Sequence, residues 1–278
     1  MVGESVVGRM LKQAVAVAAV VLVLLPIYWM VNMSFKGRAE FAALPPTLLV
    51  QRPTLENYRD LIVTQRFDRF GLNSLVVALI AASIAVTIGT LAAYGLSRFR
   101  LPRNLNYHLL FTILTVRMFP PVVTVIPLFV YYRDLGLLDS RLGLGLVHSF
   151  SEIPLVIWMM IGFFRDIPRD MEEAALVDGD HRLAVLRKIA IPLAAPGLAA
   201  TFILVFISSW NEFLLALILT ETRAQTLPIA VAAQITQFDV KYGNLMAAGV
   251  LATLPVLVLA MLAQRHLTRG LTVGGVTG

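Results

Sequence analysis

Four polar side chains, Arg117, Glu152, Asn211 and Glu212, interrupt runs of sequence that are otherwise almost wholly apolar. A charge at the centre of a membrane helix costs roughly 2.5–3.5 kcal/mol on insertion scales, so such groups face protein or water and find partners. Two kinds of chemistry fit the set. The groups can offer strong hydrogen bonds to a polar solute, or the carboxylates and the guanidinium can form a proton relay. A third reading is structural: Arg117 and Glu152 each lie about ten residues into their runs from opposite ends. At ~1.5 Å per residue both then sit ~15 Å deep, where they can pair and fix helix packing. Trp210, beside Asn211 and Glu212, fits either an interfacial anchor or the same solute path.

Other chemistries lack their residues. There are no cysteines, which excludes a disulfide framework, a thiolate zinc site and a cysteine nucleophile. No G-x-x-x-x-G-K-[ST] phosphate loop occurs. No His, Asp and Glu cluster has metal-ligand spacing and no Ser–His–Asp arrangement is suggested, so His148 and His181 read as packing or loop residues.

The elements that carry these groups must be membrane helices. Of 278 residues, 58% are hydrophobic and only 14% charged, against roughly 45–50% and about 25% in soluble domains. The mean hydropathy is +0.79, and a water-soluble fold would have no polar exterior left to cover itself. Six apolar segments, near 14–35, 72–97, 107–131, 142–164, 191–219 and 246–265, reach the roughly 20 residues that a helix needs to span hydrocarbon. The first follows Arg9 and Lys12 like a secretory signal, but its apolar run is about twice a signal core of roughly 7–15 residues and no small-x-small cleavage site closes it. It reads as a retained span. Runs such as SLVVALIAASIAVTIGTLAAYGL are apolar on all faces, unlike the alternating strands of a membrane barrel. Their small residues (Ala78, Ala81, Ala82, Ser83, Ala85, Gly89) suit close helix packing. The expected fold is all-α and polytopic, one transmembrane domain over 1–278. No internal repeat, low-complexity linker or separate soluble domain interrupts it. Pro120, Pro121 and Pro127 must bend or break the third span, either as a gating kink or as static shape.

The net charge of +6 comes mostly from scattered arginines, which suits loops at an anionic lipid surface and not nucleic-acid binding. Twelve Lys and Arg lie on the side that holds both termini and ten on the other, six of them in the long 36–70 loop. The 98–106 connection, with Arg98, Arg100 and Arg103 and no acid, sets the orientation: both termini are expected in the cytoplasm of a plasma-membrane protein.

On that orientation the charged stretch EEAALVDGDHRLAVLRKIAIPLAAPG (172–197) is cytoplasmic too. Pro168 suits a first helical turn, and Asp170, Glu172 and Glu173 favour its positive end. Met171, Ala174, Ala175 and Asp178 fall on one helical face. Gly179 lets the chain turn, and a second short helix over about 182–190 sets Leu183, Leu186 and Ala190 on one side. Pro192 and Pro196 mark the return to the membrane. Such a loop is either an amphipathic connector lying on the bilayer or a helical knob made to dock in a cytoplasmic partner.

Glu173-Ala174-Ala175, three residues, Gly179, nine residues, then Ile189-Ala-Ile191-Pro192 resembles the EAA loop of binding-protein-dependent ABC importer permeases, E-A-A-x3-G-x9-I-x-L-P. Ile191 in place of Leu is the one departure. PTLENYRDL (53–61), FGLNSLVVAL (70–79), MFPPVVTVIPLF (118–129), RDLGLLDSRLGL (133–144), SSWNEFLLAL (208–217) and RGLTVGGVTG (269–278) also look like landmarks of that family. They resemble its carbohydrate-uptake, maltose-transporter type, in the six-span second-permease branch. The resemblance covers nearly the whole chain. It implies a permease subunit that moves a sugar or polyol by alternating access, with a proton-coupled secondary transporter as the rival reading. It also implies a homologous second permease, two ATPase subunits that bind ATP and magnesium, and an extracytoplasmic solute-binding protein. The chain itself would then be no enzyme and hold no cofactor. Loop 165–190 would be the coupling loop, with Met171, Glu173, Ala174, Ala175, Asp178, Gly179, Ile189 and Pro192 at the ATPase. The tail from Gly270 to Gly278 is a second, weaker contact in related permeases.

Overall fold

The computed structural model describes residues 6–41, 43–236 and 240–273, with side chains over 8–41, 43–236 and 240–262. The side chains of the Gly270–Gly278 tail therefore lie outside the described residues. The chain divides into two compact units, Met1–Phe67 with Ala230–Leu254, and Asp68–Ile229 with Pro255–Gly278. Among the described residues the only β pairing is an isolated bridge between Ile235 and Val240. Apolar runs of this length leave the backbone no partner but itself, and only a helix satisfies every N–H and C=O within one segment.

The first unit contains α1 (Val6–Ser34), α2 (Arg38–Phe41) and α3 (Glu56–Arg59), which continues as a π-helical turn over Asp60–Thr64. The long loop read from sequence is tied down by polar side chains. Buried Lys36 donates to the Thr47 carbonyl and hydroxyl, and Thr47 in turn donates to Glu40 at 2.8 Å. Asn57 donates to the carbonyls of Ser34 and Lys36 at 2.8 and 2.9 Å. Asn244 donates to Asp60 at 2.6 Å, and that bond is the main reason the Asp60 carboxyl sits below its ordinary value.

The second unit runs through α4 (Phe67–Arg98), α5 (Leu105–Arg117), α6 (Pro121–Asp134) and α7 (Arg141–Arg165). Then follow α8 (Arg169–Val177), α9 (Arg182–Val185) with its π-helical extension Leu186–Ala190, α10 (Ile191–Leu193) and α11 (Ala195–Trp210). The last element wholly within it is α12 (Leu214–Leu219), while α13 (Leu227–Ala232) and the long α14 (Tyr242–Val273) each have residues in both units. The small residues of α4 act as read from sequence. Ala78, Ala81, Ala82 and Ala85 are fully buried, and a Cβ on Gly89 would stand 2.6 Å from Val156. Ser83 is the exception, since it faces outward.

Among the described residues four helices are long and apolar enough to cross a membrane, Gly8–Ser34, Phe67–Arg98, Arg141–Arg165 and Tyr242–Leu262. Two bent pairs make six if each counts as one span. The prolines make the first of the two bends, as expected, whereas the second departs from the continuous span expected over 191–219. The segment 107–131 is not one helix: α5 and α6 meet at 88°. Pro121 lacks the N–H that would continue the ladder, and its ring holds residue 120 out of helical geometry; Pro120 is accordingly extended, at φ −62° and ψ 127°. Pro127, by contrast, sits within α6 without ending it. The segment 191–219 is also discontinuous. It bends by 77° between Arg182–Leu193 and Ala195–Trp210, and it opens again between α11 and α12.

Candidate functional site

Loop 165–190 folds as two short helices joined at Gly179. The last turn of α8 closes by a Schellman motif, in which Gly179 N–H bonds Leu176 O at 3.2 Å and Asp180 N–H bonds Ala175 O at 3.0 Å. That geometry requires a left-handed residue, and Gly179 supplies it at φ +94°. The exposed side of α8 presents Met171, Glu173, Ala174 and Asp178, with Ala175 half-buried. Val177, which the sequence reading passed over, is 87% exposed on this surface. Ile189 is half-buried and Pro192 exposed. The single apolar side expected over 182–190 is split: Leu186 and Ala190 are buried whereas Leu183 is exposed.

The inward side of α8 rests on Glu172, which lies just outside the EAA spacing. Glu172 is 2% exposed and accepts from Tyr94 Oη at 3.0 Å and from Arg98 Nε at 2.8 Å. Arg98 Nη2 reaches the same carboxylate oxygen as Nε, Glu172 Oε1, at 2.7 Å and donates to the Ile167 carbonyl at 3.2 Å. Arg169 Nη2 reaches the Ser97 carbonyl at 3.4 Å, and Arg182 lies over the Phe99 ring at 5.6 Å. The spacing of Tyr94 and Arg98, four apart at the end of a helix, was the sequence signal for a shared partner.

A second polar cluster lies between α7 and α11. Arg117 Nη1 stands 3.4 Å from Glu152 Oε2, and Ser208 Oγ donates to Glu152 Oε1 at 2.6 Å. The pair anticipated from depth is therefore present, with the Arg117 side chain 38% exposed. One turn along α7, buried His148 bonds Ser209 Oγ through Nδ1 at 2.7 Å, and its Nε2 is 3.2 Å from Glu212 Oε2. Glu212 also accepts the N–H groups of Leu215 and Ala216, at 2.8 and 3.1 Å. It thereby caps the free end of α12, which explains the break after Trp210. His148 is thus a packing residue, as read, but one that fixes a helix break; its spacing of four from Glu152 could have shown the shared face. Trp210 is buried and stacks on Phe206 at 5.9 Å, so within this chain it is no exposed interfacial anchor. Asn211 is exposed and donates back to the Ile207 carbonyl at 2.9 Å.

The α6–α7 connection is locked to the 219–224 segment by Asp139. Its carboxylate accepts from the backbone N–H groups of Glu221, Thr222, Arg223 and Ala224 at 2.9–3.2 Å. Burial alone would raise this carboxyl, but the four N–H donors outweigh it and hold it well below the ordinary range. A depressed folded value stabilises the protein above the unfolded value of roughly 3.9, and the contribution disappears as pH falls through the folded value. Asp139→Asn should therefore lower stability by about 1–3 kcal/mol at pH 7. The gap between variant and parent should close as the pH is taken below about 4, which thermal unfolding in detergent reads directly.

A model of the family described as "Binding-protein-dependent transport system inner membrane component" matches residues 85–273. The chain is 37% identical over 262 residues to the inner membrane ABC transporter permease protein YcjP of Escherichia coli (strain K12), covering 93% of this chain and 92% of that one. It is 38% identical over 258 residues to the trehalose transport system permease protein SugB of Mycobacterium tuberculosis (strain CDC 1551 / Oshkosh), covering 92% and 93%. The crystal structure of a bacterial ABC transporter involved in the import of the acidic polysaccharide alginate shares the fold, with a TM-score of 0.79 at 24% identity over 95% of this chain and 99% of that one.

Proposed function

This chain belongs to the family of binding-protein-dependent transport system inner membrane components, and from that premise we propose that it is the permease subunit of an ATP-driven importer for a sugar or polyol. The trehalose permease relative supports the sugar class. The observation that carries the mechanism is the exposed, Schellman-capped helix α8, with its small residues Ala174 and Ala175 turned outward or half-outward. A helix that offers alanines lets another backbone approach closely. In this reading α8 seats in each cycle against an ATPase subunit, and Met171, Glu173, Ala174, Ala175, Val177, Asp178 and Gly179 form the contact. Ile189 and Pro192 then carry the chain back into the membrane.

The working assembly is this subunit with a homologous second permease, two ATPase subunits and an extracytoplasmic solute-binding protein. ATP and magnesium are bound by the ATPases. Both termini and the 165–190 loop lie in the cytoplasm, as the arginine-rich 98–106 connection supports. Arg117, Glu152, Asn211 and Glu212 line or shape the solute path, with half-exposed Arg117 the group best placed to meet a hydroxyl-rich solute. Trp210 contributes through its packing on Phe206. Family membership sets aside the proton-coupled alternative.

The test is a co-purification from native membranes with a tag on this chain. ATPase subunits should come down with the parent and hydrolyse ATP. Glu173→Lys, a charge reversal on the exposed face, should reduce their recovery roughly 5–30-fold if it removes 1–2 kcal/mol of contact energy, while the fold stays intact. Equal recovery from parent and variant would move the contact elsewhere.

A further inference from the structure

The buried cluster beneath α8 is larger than a short surface helix needs. A bilayer connector is held by its apolar face, whereas here Glu172 and Arg98 are withdrawn from water to 3% and 5% side-chain exposure and paired through Glu172 Oε1. Tyr94 adds its hydroxyl to Glu172 and packs edge-on against Phe164 at 5.4 Å and 77°. Arg169, at the start of α8, adds a contact to the Ser97 carbonyl, and the flanking segments add two more: Arg98 to the Ile167 carbonyl just before α8, and Arg182 of α9 over Phe99. All of them fall on the last two turns of α4 or the residue just beyond. The chain after them turns sharply, with left-handed Arg103 and Asn104 and with Asn106 holding the bend through Leu96 O, Phe99 O and Leu101 N–H.

We infer that Tyr94, Arg98 and Glu172 are positioning residues that join α4 and α8 into one rigid lever, so that a push on α8 is delivered to the Phe67–Arg98 helix. This rests on the reading of α8 as the ATPase contact. The joint has more than one point of hold, because Arg98 Nε and Nη2 both meet Glu172 Oε1 while Tyr94 Oη donates to Oε2, so α4 grips both oxygens of the carboxylate with charge-assisted bonds. In sequence α8 is connected directly only to α7 and α9, so without the joint its displacement would reach α4 through packing alone. Glu173, one residue on, points outward toward the partner. Neighbouring glutamates thus serve opposite faces of one helix, Glu173 receiving the push and Glu172 passing it on.

The chain has no cysteines, so spin labels can be placed at will. Ser83→Cys on the outward side of α4 lies fifteen residues, or ~22 Å, from Arg98, and Asp170→Cys marks the start of α8. The labelled chain is purified in its native complex with its ATPases, and the distance is measured by pulsed EPR without nucleotide and with ATP–vanadate–magnesium. The parent should keep one narrow distance in both states. Glu172→Gln, which keeps the shape and one acceptor oxygen but removes the charge, and Arg98→Ala should each show a broadened or second distance on trapping. Tyr94→Phe, the mildest change, should fall between them and the parent. If the parent distance shifts on trapping, or if the variants stay as narrow as the parent, the lever is refuted while the ATPase contact stands. If no ATPase accompanies the labelled parent, the contact reading itself fails and the lever with it.

Discussion

Gly179→Asp is expected to separate this subunit from its ATPase activity while leaving its global unfolding temperature almost unchanged. Nothing lies within 4 Å of a Cβ built at this position, so the change meets no steric obstacle. The cost is conformational. At φ +94° an L residue is strained by roughly 1–2 kcal/mol, and the last turn of α8 loses the cap that satisfies the carbonyls of Ala175 and Leu176. The added carboxylate also stands between Asp178 and Asp180. A loss of 1–2 kcal/mol in the docked conformation corresponds to a roughly 5–30-fold fall in occupancy, read as ATP hydrolysis recovered per tagged chain. Gly179→Ala carries the strain without the charge and should give an intermediate loss. Undiminished ATPase recovery from both variants would mean that the α8–α9 turn takes no part in the contact.

Glu172→Ala should produce the largest stability loss of any single truncation in the loop, about 3–5 kcal/mol. Removing it strands the Arg98 guanidinium at 5% exposure and takes the acceptor from Tyr94 Oη. An unpaired buried charge is the costly state, not the absence of the pair. Replacing both partners with apolar residues of similar volume, Arg98→Met with Glu172→Leu, should therefore recover most of the loss. Denaturation of the purified subunit in detergent measures both. If the double variant unfolds as early as the single one, the loss belongs to general packing and not to a stranded charge.

How much of this was legible in the sequence depends on whether the cause was local. The helices α1, α4, α7 and α14 follow from uninterrupted apolar length, because hydrocarbon leaves the backbone one solution. The break before Pro121 follows from a missing N–H, and Gly179 from the handedness that only glycine adopts freely. The loop motif itself was readable because its spacing is linear. The break after Trp210 was not readable. It is made by the Glu212 carboxylate folding back on α12 and meeting His148 from α7, and no propensity of the tetrapeptide announces that. The same holds for Arg98, which counted in sequence only as a cytoplasmic positive charge, and for Glu172, which counted as a helix-start acid. Seventy-four residues separate them. Spacing shows which residues share a helix face, but only the tertiary packing decides which two faces meet and which charges must neutralise one another to be buried there.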